Sequence, residues 1–181
     1  TIMSDTNKFK GVNTISTHVG QVKDEQFGSS VSPIFPGTSY EYIDKEIDRY
    51  PRYSSTPNQE FLSKKISALE QTEHAIILGS GMAAISTSLL SFLGSGDHIV
   101  VQNDIYGGTR NLIEKQFTRY KIEYSFTKGI GIEDFEKEIK PNTKAIFIET
   151  PSNPLLKIVD IKKIAELSKN HGLISFIDNT F

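Results

Sequence analysis

The chain has 181 residues, a length that fits one domain or one domain with an arm, and 37% of them are hydrophobic, enough for a core. Twenty basic residues nearly balance 22 acidic ones and no polybasic run occurs, so neither nucleic acid nor an anionic membrane is an expected partner. The absence of cysteine excludes disulfides, thiolate metal sites and a cysteine nucleophile.

The first 57 residues differ from the rest and are predicted to form an arm. Proline, serine and threonine are frequent in this stretch, and its aromatic residues follow no helical or strand period. Such aromatics need to be covered by other protein surface. We therefore expect residues 1–57 to contact a neighbouring surface, and residues 58–181 to form a separate domain.

From residue 58 onward, short apolar runs alternate with amphipathic stretches. The predicted elements, in chain order, are a helix over 58–69, a strand over 74–78, a helix over 82–92, a strand over 98–102, a helix over 109–117, a strand over 122–126, a helix over 132–139, a strand over 144–148, a helix from the N-cap Asp160 to Gly172, and a strand over 173–177. This alternation predicts an α/β fold with a mainly parallel sheet covered by helices.

One uncharged stretch, residues 75–96, is long enough to cross a bilayer. Glycines interrupt it early and hydroxyl residues are frequent after them, so a strand, a glycine turn and a helix are predicted there instead. Residues 1–10 lack the apolar core of a signal peptide. The absence of cysteine is compatible with the cytosol, so we expect a cytoplasmic protein. The four histidines lack metal-ligand spacing, so we expect no metal site.

The first candidate loop, Gly-Ser-Gly-Met-Ala-Ala over 79–84, follows a predicted strand and opens a helix. Backbone N–H groups at such a turn can cradle a phosphate. As G-x-G-x-x-A, the loop also matches a dinucleotide fingerprint, with Asp104 as the acid that binds the ribose. A purely structural turn is the third interpretation, and the motif alone does not choose among the three.

Three more loops follow predicted strands, and ligands of parallel sheets bind at the carboxyl ends of strands. Tyr106 precedes two glycines and could stack on a planar ligand, or could be a partly buried loop residue. Asn153 lies in a loop stiffened by two prolines. Asp178 follows an apolar strand, where a carboxylate needs a partner: a protonated pyridine nitrogen, a buried arginine or a helix N-terminus.

Together, these loops resemble the Cys/Met-metabolism enzymes that depend on pyridoxal phosphate (PLP): cystathionine γ-synthase, cystathionine β- and γ-lyases and methionine γ-lyase. The resemblance runs from about Thr17 to Phe181 and covers nearly all of the chain. The matching strings are Gly-Met-Ala-Ala-Ile at 81–85, Gly-Asp-His at 96–98, Tyr-Gly-Gly-Thr at 106–109, Glu-Thr-Pro-Ser-Asn-Pro at 149–154 and Asp-Asn-Thr-Phe at 178–181. The resemblance implies a large domain of the aspartate-aminotransferase type, of which this chain holds the N-terminal part.

The resemblance also implies roles for individual residues. The backbone amides of Gly81 and Met82 would bind the cofactor's phosphate, and Tyr106 would stack on the pyridine ring. Asn153 would hydrogen-bond the ring hydroxyl oxygen. Asp178 would keep the ring nitrogen protonated, so that the ring accepts electrons from the substrate's α-carbon.

Further implied roles concern support and assembly. Thr180 would support the ring. Tyr50 and Arg52 match a Tyr-x-Arg element that reaches the phosphate of a neighbouring subunit, although a one-residue shift in the alignment lets Tyr53 replace Tyr50. The resemblance therefore implies shared sites in a homotetramer, a dimer of dimers, with an amino acid as the small-molecule substrate.

One part of the family pattern is missing from the chain. The Schiff-base lysine of the family lies beyond the Asp-Asn-Thr string, and no lysine follows Asp178 here. We expect a longer enzyme that eliminates or replaces a group at Cβ or Cγ of sulfur amino acids. Two alternatives stay open: a catalytically silent half-subunit that binds PLP or a partner, and a NAD-dependent Rossmann oxidoreductase.

Overall fold

The computed structural model describes residues 11–46 and 49–181. The contacts divide the chain into two compact units, residues 1–78 and 79–181, which are described separately. Residues 1–10, for which no signal peptide is predicted, lie outside the described residues. Among the described residues, no helix has the length and apolar character needed to cross a membrane.

The described residues of the first unit form two α-helices and one short 3₁₀ turn, joined by segments without regular secondary structure. These are α1 (Val12–His18), the 3₁₀ turn (Pro51–Tyr53) and α2 (Pro57–Glu70). Helix α1 was not predicted: it is only seven residues long and none of its residues is buried. Helix α2 begins at Pro57, one residue before the predicted start, with a capping box between Thr56 and Gln59 and the proline in its first turn.

The predicted strand over residues 74–78 is wrong, because this segment pairs with no other strand among the described residues. A strand is defined by hydrogen bonds to a neighbour, and an apolar run alone does not supply that neighbour. The carbonyl oxygens of His74 and Ala75 instead accept side-chain hydrogen bonds from Thr72 and Ser63. Ile76 stays 72% exposed.

The second unit is built on a four-stranded sheet with the order β2-β1-β3-β4, in which every neighbouring pair is parallel. Its elements are α3 (Gly81–Phe92), β1 (His98–Val101), α4 (Gly107–Leu112), a π-helical turn (Ile113–Phe117), α5 (Thr118–Tyr120), β2 (Glu123–Phe126), α6 (Ile132–Glu136), β3 (Thr143–Glu149), α7 (Ile161–Asn170) and β4 (Ile174–Asp178). The α/β fold with a parallel sheet is thereby confirmed.

Helices cover both faces of this sheet, as predicted. Successive residues of a strand point to opposite faces, so Ile99 and Val101 join one core and Val100 joins the other. The first core is completed by α3 and the helix that follows β1, and the second by α6 and α7. Among the described residues strand β4 pairs with β3 alone, and its Ile174 and Ile177 remain partly exposed.

Some helix limits differ from those predicted, for local reasons. Helix α4 begins at Gly107 because the carbonyl oxygen of Tyr106 already accepts a hydrogen bond from Arg110 N–H. Helix α6 ends at Glu136 because the next residues form tighter bonds, such as the one from Ile139 N–H to the Glu136 carbonyl. The predicted cap of α7 is confirmed: Asp160 Oδ1 accepts from Lys163 N–H at 3.1 Å.

His98 lies fully buried at the amino end of β1. Its two ring nitrogens are within hydrogen-bond distance of Thr143 Oγ1 (2.7 Å) and Ser125 Oγ (3.0 Å). Burial lowers the pKa of His98 below its usual value of 6.5, and the positive charge of Lys140 acts in the same direction. The fold therefore holds this imidazole neutral.

We expect stability to fall as the pH drops below about 6.5, because there the unfolded chain binds a proton that the folded His98 does not. Above that pH the contribution of His98 to the free energy of unfolding is fully present. In His98→Asn the pH dependence in this range should flatten, whereas His171→Gln, at an exposed helix end, should keep most of it. Urea unfolding between pH 5 and 8 measures the difference, and an unchanged slope in His98→Asn would contradict it.

Candidate functional site

The carboxyl ends of the strands in the second unit surround a pocket of about 260 Å³. It is lined by ten residues from four chain segments: Gly81, Met82, Ile85, Tyr106, Glu149, Pro151, Asn153, Asp178, Thr180 and Phe181. The structure thus brings together all six site residues that were predicted in this unit. The two predicted residues of the arm, Tyr50 and Arg52, belong to the first unit.

One wall of the pocket is the N-terminus of α3. Ser80 is the N-cap, and its hydroxyl oxygen accepts from Ala83 N–H at 3.0 Å. This bond leaves the amides of Gly81 and Met82, in the first turn, available to an anion. Apart from the adjoining residues and the backbone of α3 itself, no atom of the described residues lies within 4 Å of the position that a Cβ on Gly81 would occupy, so the backbone here is open to a ligand.

Tyr106 forms a second wall and is 47% exposed. It is the residue before α4, and its ring lies directly over Gly108, where a Cβ would collide with the ring. The same Cβ position lies 3.1 Å from Met82 Sδ, so Gly108 allows the tyrosine ring and Met82 to approach each other. The ring is therefore held beside the N-terminus of α3 with much of its surface free for stacking.

The loop after β3 carries Asn153. Both the Thr150–Pro151 and Asn153–Pro154 peptide bonds are cis. The loop is closed by a hydrogen bond from Ser152 N–H to the carbonyl of Lys157. Asn153 N–H donates to Glu149 Oε1 at 2.7 Å, which ties the loop back to the end of the strand.

Asp178 ends β4 and faces the pocket from the sheet side. Its Oδ1 accepts from both Thr180 N–H (3.2 Å) and Thr180 Oγ1 (2.5 Å). No described residue donates a hydrogen bond to Oδ2, and neither an arginine nor a helix N-terminus serves as its partner there. One carboxylate oxygen is thus fixed by the loop, while the other has no hydrogen-bond partner within the described chain.

Asp104, the ribose-binding acid of the dinucleotide interpretation, does not line the pocket. Its carboxylate pairs with Lys157 Nζ at 2.5 Å. This pair joins the loop after β1 to the loop after β3 and leaves Asp104 committed to a protein partner. The geometry therefore favours a ligand with a single phosphate over a dinucleotide.

The predicted arm element lies in the first unit. The rings of Tyr50 and Tyr53 meet edge to face with centroids 5.4 Å apart, and the Arg52 guanidinium lies 5.7 Å from the Tyr50 ring centroid. Tyr53 is the more exposed of the two rings. Both tyrosines and Arg52 thus form one surface cluster, and their contact with a neighbouring cofactor stays a prediction.

Glu149 is an acidic pocket residue to which the sequence analysis assigned no role. It was noted only as the first letter of the Glu-Thr-Pro-Ser-Asn-Pro string, although an acidic residue at the end of a buried apolar strand requires partners. That requirement is the signal that could have pointed to it.

Comparison with known proteins identifies the family. The model of the family described as Cys/Met metabolism PLP-dependent enzyme matches residues 13–181. The chain belongs to this family. Membership of the Cys/Met-metabolism family confirms the resemblance stated from the sequence strings and favours the PLP interpretation of the glycine loop over the dinucleotide one.

Comparison with individual proteins of the Cys/Met-metabolism family supports the same assignment. The chain is 39% identical over 170 residues to cystathionine γ-lyase of Bacillus subtilis. The aligned region covers 93% of this chain and 45% of that protein. The crystal structure of metB from Corynebacterium glutamicum superposes with a TM-score of 0.90 at 36% identity, covering 98% of this chain and 46% of that one. The chain therefore spans less than half the length of these relatives.

A third relative bears on the cofactor. The structure of a putative O-acetylhomoserine (thiol)-lyase from Campylobacter jejuni contains N′-pyridoxyl-lysine-5′-monophosphate. It superposes with a TM-score of 0.85 at 32% identity and covers 94% of this chain and 44% of that one. The pocket described above has what such a group requires: free amides at a helix N-terminus, an exposed aromatic ring and an unpaired carboxylate oxygen.

Proposed function

We propose that this chain is part of a longer PLP-dependent enzyme that eliminates or replaces a group at Cβ or Cγ of sulfur amino acids. The observation that carries the proposal is the convergence of Gly81, Tyr106, Asn153 and Asp178 on one pocket at the carboxyl ends of the strands. Family membership supports the same cofactor and the same chemistry.

Each pocket residue has a task that its geometry supports. The amides of Gly81 and Met82 bind the phosphate with the help of the helix dipole. Tyr106 stacks on the ring, and Asn153 donates to the ring hydroxyl oxygen. Asp178 Oδ2 holds a proton on the ring nitrogen.

The cofactor, when bound, supplies an electron sink that eases removal of the substrate's α-proton. Thr180 donates to Asp178 Oδ1 and so keeps the carboxylate oriented toward the ring. The lysine that holds the cofactor covalently and moves protons would lie in a part of the protein outside these 181 residues.

The arm and the assembly extend the proposal. Residues 1–57 form an arm that contacts a neighbouring subunit, with residues 58–181 as the first part of the cofactor-binding domain. Tyr50 or Tyr53, together with Arg52, reaches the neighbour's phosphate, so that active sites are shared in a cytoplasmic homotetramer. The exposed rings of the arm support this, because large apolar side chains are usually covered in the assembled protein.

A catalytically silent half-subunit is the second candidate, and one observation favours it. No lysine lines the pocket among the described residues, and the nearby Lys157 is paired with Asp104. Such a protein would bind PLP or a partner without turning over a substrate.

Borohydride treatment of the purified natural protein distinguishes the two candidates. We expect a yellow protein that borohydride bleaches and whose intact mass exceeds that of 181 residues. Incubation with cystathionine, methionine and an O-acyl homoserine, followed by identification of the products, then assigns the reaction. A colourless protein of 181 residues without turnover would overturn the enzymatic proposal in favour of the silent one.

A further inference from the structure

The carboxylate of Glu149 lies between two loops of the pocket and is almost fully buried, with 4% of the residue exposed. Its Oε2 accepts from Tyr106 N–H and its Oε1 accepts from Asn153 N–H, both at 2.7 Å. These distances lie at the short end for N–H···O bonds, as expected when the acceptor is charged. One side chain therefore binds the backbones of two residues that are 47 positions apart in the sequence.

The position of Glu149 is itself fixed from β1. Its backbone N–H donates to Gln102 Oε1 at 3.0 Å, and Gln102 Nε2 donates to the carbonyl of Asp104 at 2.9 Å. Gln102 is fully buried, so both of its polar atoms are satisfied inside the protein. The loop after β1 is thus tied to the end of β3 at two points.

We propose that Glu149 is a positioning residue that sets the distance and tilt between the ring of Tyr106 and the amide of Asn153. The inference rests on the proposed function, in which Tyr106 stacks on the cofactor ring and Asn153 binds the ring hydroxyl. Because both contacts converge on the same planar ligand, a small shift of one loop relative to the other misplaces the ring. Glu149 couples the two loops through one rigid group.

A direct acid–base role for Glu149 does not fit its contacts. Each carboxylate oxygen already accepts a hydrogen bond from a backbone N–H. A backbone N–H can only donate, so neither partner can take up a proton from Glu149 or pass one on. Both carboxylate oxygens are therefore engaged by backbone donors, and the side chain acts through Tyr106 and Asn153.

Three variants of the full-length natural protein test the inference. In Glu149→Gln the amide oxygen accepts one N–H while the NH₂ group faces the other, so one bond is replaced by a donor–donor clash. Glu149→Asp keeps the charge but is one methylene shorter and cannot reach both loops. Glu136→Gln is the matched control, at an exposed position of helix α6 and outside the pocket.

The probe is 4′-deoxypyridoxine 5′-phosphate, which retains the ring, its hydroxyl and the phosphate but has no aldehyde to react with a lysine. Binding to the apoprotein is measured by calorimetry, and the tilt of the bound ring by its circular dichroism. For Glu149→Gln and Glu149→Asp we expect about tenfold or more weaker binding and an altered dichroism band, because each loses a hydrogen bond to a charged acceptor. Glu136→Gln should match the wild type.

The outcomes separate this inference from the proposed function. If the wild-type apoprotein does not bind the probe, the proposed function itself fails. If the wild type binds and Glu149→Gln binds equally well with the same dichroism, only the positioning role is overturned. The same holds if both Glu149 variants merely lower the melting temperature, or if Glu149→Asp restores binding, since charge rather than reach would then be responsible.

Discussion

Asp178→Asn should lower kcat of the full-length enzyme by about 10²- to 10³-fold, the size of effect that follows the loss of one charge-stabilising contact in an enzyme site. The amide oxygen of the variant can still accept from Thr180, so the loop keeps its shape. What is lost is the negative charge at Oδ2, which holds the proton on the ring nitrogen. Steady-state kinetics with the best substrate of the natural protein measures the effect.

The control for this prediction is Asp160→Asn. It makes the same chemical change at the N-cap of α7, where asparagine caps a helix as well as aspartate does, so activity should remain near that of the wild type. A kcat of Asp178→Asn within about twofold of the wild-type value would correspond to only a small difference in activation free energy. That result would show that Asp178 does not face the ring nitrogen.

Gly81→Pro should bind the cofactor phosphate about tenfold or more weakly than Gly81→Ala, because proline lacks the N–H that the phosphate accepts. The backbone tolerates the change. Gly81 is the first residue of α3, where proline is favoured, and Ser80 has the extended conformation required of a residue before proline. Both variants add a Cβ at the same position, so the difference between them reports the missing donor.

The affinity of the two Gly81 variants for PLP and for inorganic phosphate can be compared by calorimetry with apoprotein. Pyridoxal without the phosphate should show no difference between them. Equal affinities for PLP would exclude the Gly81 amide as a phosphate donor, while a difference that persists with pyridoxal would point to a displaced helix instead.

The order of strands and helices in the second unit could be predicted because each element carries its own local signal. Strand β1 is a short apolar run that follows a turn. The start of α7 is indicated by its N-cap, Asp160, and its end by Gly172. Signals of this kind depend only on neighbouring residues. Helix α1 has no such signal, since it lacks a buried face, and it was missed.

The false strand over residues 74–78 has the opposite cause. Its local composition is that of a strand, but strand formation depends on a partner elsewhere in the chain. No described residue supplies one. A local pattern therefore predicts the tendency of a segment to form a strand, but it does not predict which strand, if any, pairs with that segment.

The candidate site was predictable to the extent that its residues lie in loops that directly follow strands. Because parallel strands end at the same edge, the glycine loop and the loops with Tyr106, Asn153 and Asp178 could be expected to meet, and they do. Glu149 was missed because its contacts join two loops that are distant in the sequence, and residue spacing does not show which loops a side chain connects. The contact expected of Tyr50 and Arg52 with a neighbouring cofactor stays a prediction.

The single-sided pairing of β4 affects how the 181-residue segment will behave if it is produced on its own. Parallel sheets are normally buried, whereas here no strand in the described part of the chain pairs with the second flank of this isoleucine-rich strand. Such a flank recruits strands from other molecules and so favours precipitation. A soluble preparation of the segment will depend on keeping this flank covered, so every experiment above uses the natural protein.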